Sequence, residues 1–450
     1  MTNPTVVNWE LTVLSSSIAV SDIIPKGSAL SLRISYDSNT GEVSSYNTHI
    51  NNARGLGVKL VGHSDPGVDG VWFNADDPVS SYHAREYDTN DNLIINAIYS
   101  APGVDGIWFN ADDVLLSYQA YQWDANNNQS RVAYYNHEGS DGIWFTADDT
   151  VSFYIGSLYD TRNNRIHSIN FIGAGADTVW FTDDDIASPY TAYHYNDAPN
   201  NLTKKVSYDG PGVDGLWVTS DDEVKQYVIW RYDTNSNKIS MTRYNEAGID
   251  GVWFNSDDIV QLYFGYQYNG NNKMTRFTRY ANAGVDGVWS TADDEPNKYT
   301  DYRYDGNDNQ VSKIQYNAAG LDGIWFNSDD TTTVYDALQY DSNNNNTQSI
   351  RYTGLGLDGV WFTNDDDVGS YKQSQFTSDS LPTQDVWYDG AGADGLWFTN
   401  DDKINLYNRL AYDQGFLIEH VWYTGSGADG ILFTDDDIKQ SHREYEFFYE

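Results

Sequence analysis

Eleven short stretches of this chain each carry three carboxylates and a hydroxyl or amide at fixed offsets. Hard oxygen donors gathered in this way suit calcium. Two copies read GVDGVWFNADD (Gly67–Asp77) and GVDGIWFNADD (Gly103–Asp113). Each offers a first Asp, a Thr or Asn five residues later, and a closing Asp pair. The candidate metal donors are Asp69, Asn74, Asp76 and Asp77; Asp105, Asn110, Asp112 and Asp113; Asp141, Thr146, Asp148 and Asp149; Asp177, Thr182, Asp184 and Asp185; Asp214, Thr219, Asp221 and Asp222; and Asp250, Asn255, Asp257 and Asp258. They continue with Asp286, Thr291, Asp293 and Asp294; Asp322, Asn327, Asp329 and Asp330; Asp358, Thr363, Asp365 and Asp366; Asp394, Thr399, Asp401 and Asp402; and Asp429, Thr434, Asp436 and Asp437. The sets hold no His, and the chain has no Cys. All-oxygen donors select calcium over zinc or copper, at about one Ca2+ per repeat.

Eleven loops with three aspartates each supply 33 of the 66 acidic residues, so the formal charge of −40 would be −7 without them. Two carboxylates about 4 Å apart repel by roughly 4 kcal/mol at an effective dielectric near 20. Crowding them makes sense if a cation sits among them. Metal-free turns are the alternative, since Asp-Gly is a strong hairpin signal. Neighbouring residues of an extended strand point to opposite faces. Both members of Asp257-Asp258 therefore reach one ion only if the chain turns there. Otherwise one serves its own loop, and the other caps a turn or reaches the next repeat.

The first aspartates follow one another at 36 residues, with single steps of 37 and 35. Such a period means stacked supersecondary units that bury their apolar faces against one another. After each Asp pair comes a run of about ten residues with aromatics at fixed places, such as Tyr263, Tyr266 and Tyr268. An Asn-rich turn follows, as at Asp124–Asn128 and Asp233–Asn237; Asn and Asp suit hairpin turns. Then comes a second strand, such as Lys238–Tyr244. The VWF-type segment inside the loop reads as a third, short strand. Trp stands there in ten of eleven copies, Trp72 to Trp397, and reads as a stacked core ladder. No segment sustains a helical apolar period. The expected fold is all-β: a tandem array of eleven hairpin and Asp-loop repeats forming an open spiral or solenoid, with a closed propeller-like toroid as the alternative. Residues 1–30 read as an N-terminal cap, 31–66 as a degenerate half-repeat with an insertion, and 67–450 as the array.

The segment GAGADTVWF (Gly173–Phe181) resembles the nonapeptide of the RTX calcium-binding family, as do Gly354–Trp361, Gly390–Trp397 and Gly425–Leu432. That resemblance implies calcium-triggered folding and type I export of a bacterial extracellular protein. The turns at Tyr159–Asn164, Tyr232–Asn237 and Tyr340–Asn345 look like those of YD (RHS) repeats. That likeness implies a spiral of β-hairpins on a bacterial surface or toxin protein.

These readings converge on a calcium-stabilised extracellular or cell-surface structural or adhesive protein, able to self-associate head-to-tail. A calcium-dependent glycan-binding module and an RHS-like shell segment are the alternatives. Catalysis is not expected, because a catalytic carboxylate pair should be singular. The eight His follow no repeat register and read as surface residues. With only 26 Lys and Arg the chain lacks the basic footprint for nucleic acid. No apolar run reaches the roughly 20 residues of a membrane span. The N-terminus has no recognisable signal peptide.

Overall fold

Tyr, Val, Ile and Thr dominate the segments between loops, and Asn-Asp turns punctuate them. The outcome in the computed structural model is strand and turn throughout the described residues (30–36, 43–52, 54–74 and 76–446), with no helix among them. Twenty-four strands follow one another, each pairing antiparallel with its chain neighbour inside each of two compact units.

The first unit holds β1 (Leu30–Tyr36), β2 (Val43–Asn51), β3 (Gly57–His63), β4 (Val79–Tyr87), β5 (Leu93–Ala101), β6 (Val114–Trp123) and β7 (Gln129–His137). Parts of β8 (Thr150–Tyr159) and β9 (Arg165–Gly173) belong to it. The second unit holds β10 (Ile186–Tyr195), β11 (Leu202–Gly210), β12 (Glu223–Tyr232), β13 (Lys238–Glu246), β14 (Ile259–Tyr268), β15 (Met274–Asn282), β16 (Glu295–Tyr304), β17 (Gln310–Ala318), β18 (Thr331–Tyr340), β19 (Asn346–Gly354), β20 (Asp367–Phe376) and β21 (Pro382–Gly390). After β22 (Lys403–Asp413), which is divided between the units, β23 (Phe416–Gly425) and β24 (Ile438–Glu446) return to the first.

In the first unit β24 pairs antiparallel with β1, with His442 opposite Ile34 and Arg443 opposite Arg33. This corrects the open spiral: the first and last described strands are hydrogen-bonded neighbours, so the closed alternative is the nearer one. These two strands pair with each other instead of presenting the free edges that invite another chain. Head-to-tail association was inferred from such edges, and that premise falls. The N-terminal cap and the turn expected at Ser38–Gly41 lie outside the described residues.

Each repeat has two strands, not three. The VWF segments are turn and bend, and Phe109, Phe254 and their equivalents sit at positive φ, near +70°. A left-handed residue breaks an extended run, so the short apolar run misled there. The hairpin turns are as read. Asp124 N–H donates to Asn128 O (2.9 Å), and Asp124 Oδ1 accepts the N–H groups of Asn126 and Asn128. Asn127 takes the left-handed position (φ 60°), as three-residue hairpin loops require.

Neighbouring hairpins are tied at both ends of the strand. At one end Tyr87, Tyr232, Tyr268, Tyr304 and Tyr340 each donate a hydroxyl to a carbonyl 30 residues back. At the other, Tyr82 of β4 is buried, stacks on Tyr99 of β5 (4.4 Å, 7°) and meets Trp108 of the following loop edge-on (5.8 Å). The same trio recurs at Tyr118, Tyr135 and Trp144, and at Tyr299, Tyr316 and Tyr-facing Trp325. The repeating buried core is therefore Tyr, and the half-buried Trp packs against its edge. Such aromatic pairs add about 0.5–1.5 kcal/mol beyond their burial.

Candidate cation-binding loops

Each Asp loop joins the second strand of one hairpin to the first strand of the next. Two glycines shape it. Gly103 has φ +65°, and a Cβ there would stand 2.1 Å from Asp112 O, so only Gly admits this close approach. Gly106, just after the first Asp, also has positive φ but faces open space.

The chain turns at the Asp pair, so the two carboxylates part company. The first Asp caps its own turn: Asp105 Oδ1 accepts Ile107 N–H (2.7 Å). The penultimate Asp reaches back across the loop, Asp112 Oδ2 accepting Val104 N–H (2.8 Å) and Asp105 N–H (3.1 Å). The last Asp is buried, 5–8% exposed in every copy. Its Oδ2 accepts the N–H of the left-handed Phe, as from Phe109 to Asp113 (2.7 Å), and the hydroxyl of the core Tyr, as from Tyr82 (2.7 Å). The loop's two ends are thus bridged by hydrogen bonds, where a calcium bridge was expected. The reach toward an adjacent hairpin is made by the last Asp.

Two features are left electrically incomplete. In seven loops the other oxygen of the last carboxylate, Oδ1 of Asp77, Asp113, Asp185, Asp258, Asp294, Asp330 and Asp366, is buried without a hydrogen-bond partner. In four Thr loops the corresponding oxygen, of Asp149, Asp222, Asp402 and Asp437, lies 3.1–3.4 Å from the Thr hydroxyl. Thr219 Oγ1 lies 2.8 Å from Asp221 Oδ1, 3.1 Å from Asp222 Oδ1, 3.2 Å from Leu216 O and 3.5 Å from Asp214 Oδ1. All four members of that predicted donor set are therefore together, around the hydroxyl. As the side chains stand, no three His, Cys, Asp or Glu among the described residues are placed to hold a metal directly. An ion would enter where the hydroxyl proton now sits, with some adjustment of the loop. The donors fit calcium by type: carboxylate, hydroxyl and carbonyl oxygens in a flexible loop.

Electrostatics follow the hydrogen bonds. The penultimate carboxylates Asp184, Asp221, Asp293, Asp365, Asp401 and Asp436 are held below the ordinary carboxylate value, chiefly by the Thr hydroxyl and then by backbone N–H groups. Asp148 is lowered too, with Ser140 as its largest contributor. Burial pushes the core Tyr hydroxyls well above their usual range, and their Asp acceptors push further, as at Tyr82, Tyr227 and Tyr371. One copy departs. Ser290 replaces Phe, Tyr263 donates to Ser290 Oγ (3.0 Å), and burial raises the carboxyl of Asp294.

Several participants escaped the sequence reading. The Tyr 31 residues before the last Asp of the loop (Tyr82 and Asp113, Tyr118 and Asp149, Tyr154 and Asp185; 32 for Tyr190 and Asp222) was visible as a recurring spacing. Cations cap the left-handed Phe rings: Lys59 Nζ lies 4.4 Å from the Phe109 centroid, Arg131 Cζ 4.0 Å from Phe181 and Arg276 Cζ 4.5 Å from Phe326. Nor are all the His surface residues. His63 takes the place of the second Tyr, stacking on Tyr46 at 4.3 Å, and His442 is buried with Nε2 3.0 Å from Glu419 Oε1.

No protein-family model matches the chain, and no curated protein matches it. Solved structures do align along its length. A TcdB2-TccC3-Cdc42 crystal structure shares 11% identity over 88% of this chain and 26% of its own, at a TM-score of 0.21. A pore structure of the Photorhabdus luminescens Tc holotoxin shares 10% over 85% of this chain and 25% of its own, at 0.19. A porin-like protein from Bacteroides uniformis shares 8% over 94% and 99%, at 0.18. This chain spans about a quarter of the first two. At these scores the likenesses carry no functional argument. No described helix is long and apolar enough to cross a membrane, which says nothing of spans made by strands.

Proposed function

We propose that this is a calcium-stabilised extracellular β-repeat protein with a structural or adhesive role, its Asp loops serving as cation pockets. The observation that carries the reading is the buried last Asp of each loop. A carboxylate oxygen removed from water without a partner is costly, and the same oxygen recurs unpaired in seven loops. A cation among the loop oxygens would answer that cost. Weak sites suffice where free calcium is about 10⁻³ M, as outside cells. At ten times Kd each occupied site adds about 1.4 kcal/mol.

The loop tips support the adhesive part. Val213, Ile249, Val285, Leu321 and Leu357 stand at successive tips of the second unit and are 97–103% exposed. Aliphatic side chains held fully in water at a fixed period offer contact points to a partner surface.

Thermal unfolding of the full chain in millimolar calcium and in chelator tests the reading. The midpoint is expected to rise markedly with calcium and to be insensitive to magnesium at equal concentration. Identical midpoints in calcium and chelator would remove the metal role.

A further inference from the structure

The residue five positions after the first Asp divides the eleven loops into two chemical classes. Seven carry Thr (Thr146, Thr182, Thr219, Thr291, Thr363, Thr399, Thr434) and four carry Asn (Asn74, Asn110, Asn255, Asn327).

In every Thr loop the hydroxyl oxygen lies 2.7–2.8 Å from the penultimate carboxylate and 2.9–3.2 Å from a main-chain carbonyl. In four of them the last carboxylate is also within 3.4 Å. In two, the first carboxylate approaches at 3.5 Å. A hydroxyl has one proton to give. It can satisfy one of these oxygens; the first Asp's Oδ1 also accepts a main-chain N–H, and the rest face the hydroxyl without its proton. In three of the Thr loops the last carboxylate's Oδ1 (Asp185, Asp294 and Asp366) is buried with no partner.

The Asn loops satisfy the first Asp internally, and in three of them the main-chain carbonyl too, while the last Asp's Oδ1 stays buried and unpaired in all four. The amide carries two protons. Nδ2 donates to the first Asp at 2.8–3.0 Å in all four. In three it also donates to the main-chain carbonyl at 2.8–2.9 Å. The amide cannot turn its oxygen inward, because Oδ1 accepts the penultimate Asp N–H at 3.0 Å in each. An NH2 group thus occupies the place a cation would take.

We infer that this one residue sets cation occupancy: the seven Thr loops are divalent-cation sites, and the four Asn loops, whose amide NH2 stands in the ion's place, bind roughly tenfold more weakly, the equivalent of about one charge-assisted hydrogen bond. The inference rests on the calcium reading above and refines which loops it applies to. Thr contributes a hydroxyl lone pair as a ligand, and Asn contributes a donor that excludes the ion.

Calcium bound per chain, counted by titration of the chelator-stripped full-length protein, tests the division. Seven tight sites are expected in the wild type. Thr219→Asn should leave six and Asn255→Thr should give eight. Both changes use a residue already present at that place in other loops, and unfolding in chelator checks that each variant folds. Eleven equivalent sites, or a count unmoved by either substitution in folded protein, would overturn the division while leaving the calcium reading intact. Binding of no calcium by any of the three proteins would fail both.

Discussion

Tyr371 donates its hydroxyl to Asp402 Oδ2 at 2.6 Å, joining the first strand of one hairpin to the loop that launches the next. The same bond recurs from Tyr118 to Asp149, Tyr227 to Asp258 and Tyr299 to Asp330. Stacking, hydrogen bonding and loop closure meet at this one side chain, so it is the natural place to perturb the fold.

Tyr371→Phe keeps the ring stack on Tyr388 and removes only the donor to a buried carboxylate. A hydrogen bond to a charged group contributes about 1.5–3 kcal/mol. The unfolding midpoint should fall accordingly, and a second substitution, Asp402→Asn, should cost less in the Phe background than in the wild type. Additive losses would show that the two residues are not coupled.

Ser290→Phe should stabilise the protein. Phe is tolerated at the same left-handed position in nine other loops. It would rebuild the aromatic contact to Tyr263 and free that hydroxyl for Asp294. A gain of about 0.5–1.5 kcal/mol is expected from the aromatic pair, read as a higher midpoint. A lower midpoint would mean that Ser290 is fitted to this copy.

Two glycines of one loop should respond differently to alanine. At Gly284 a Cβ would stand 2.1 Å from Asp293 O, so Gly284→Ala must displace the loop. At Gly287 the space is open and the backbone alone resists, with φ +67°, a cost of about 1–2 kcal/mol. Proteolysis within residues 284–294 should rise sharply in the first variant and little in the second.

Stability should fall at both ends of the pH scale. The penultimate carboxylates are depressed in the fold, so their contribution is complete above the ordinary value of 3.8 and is lost as pH falls through their lowered values. Asp294 is raised and acts in the opposite sense, but it is a single group. The core Tyr hydroxyls are raised, so their contribution is complete below 10.0 and is lost as pH rises beyond it. Midpoints in chelator should be level near neutrality, then drop below about pH 4 and above about pH 10. A flat profile down to pH 3 would contradict the carboxylate assignments.

Period, strand content and the Asn-Asp turns were legible because each depends on residues near one another in the chain. The bonds by which Asp124 and Asn128 close their turn lie within five residues. The loop interior was not legible: Val-Trp-Phe is an apolar run that suits a strand, and only the hydrogen bond from Phe N–H to the last Asp reveals the left-handed residue. The candidate site was half legible. Its donors were named, but their division between two jobs depends on the turn at the Asp pair. The pairing of Ile34 with His442 was beyond local pattern altogether, because nothing in either segment names its partner.

That last pairing bears on the order of assembly. Every other ladder can form as soon as the adjoining segment is made, whereas β1 must wait for β24. Loop-closure entropy grows slowly with length; going from a local hairpin to this junction spans roughly five doublings, or about 3 kcal/mol. One edge of β1, already paired with β2 on the other, would therefore stay open until β24 is made, and zipping that seam would follow the local hairpins.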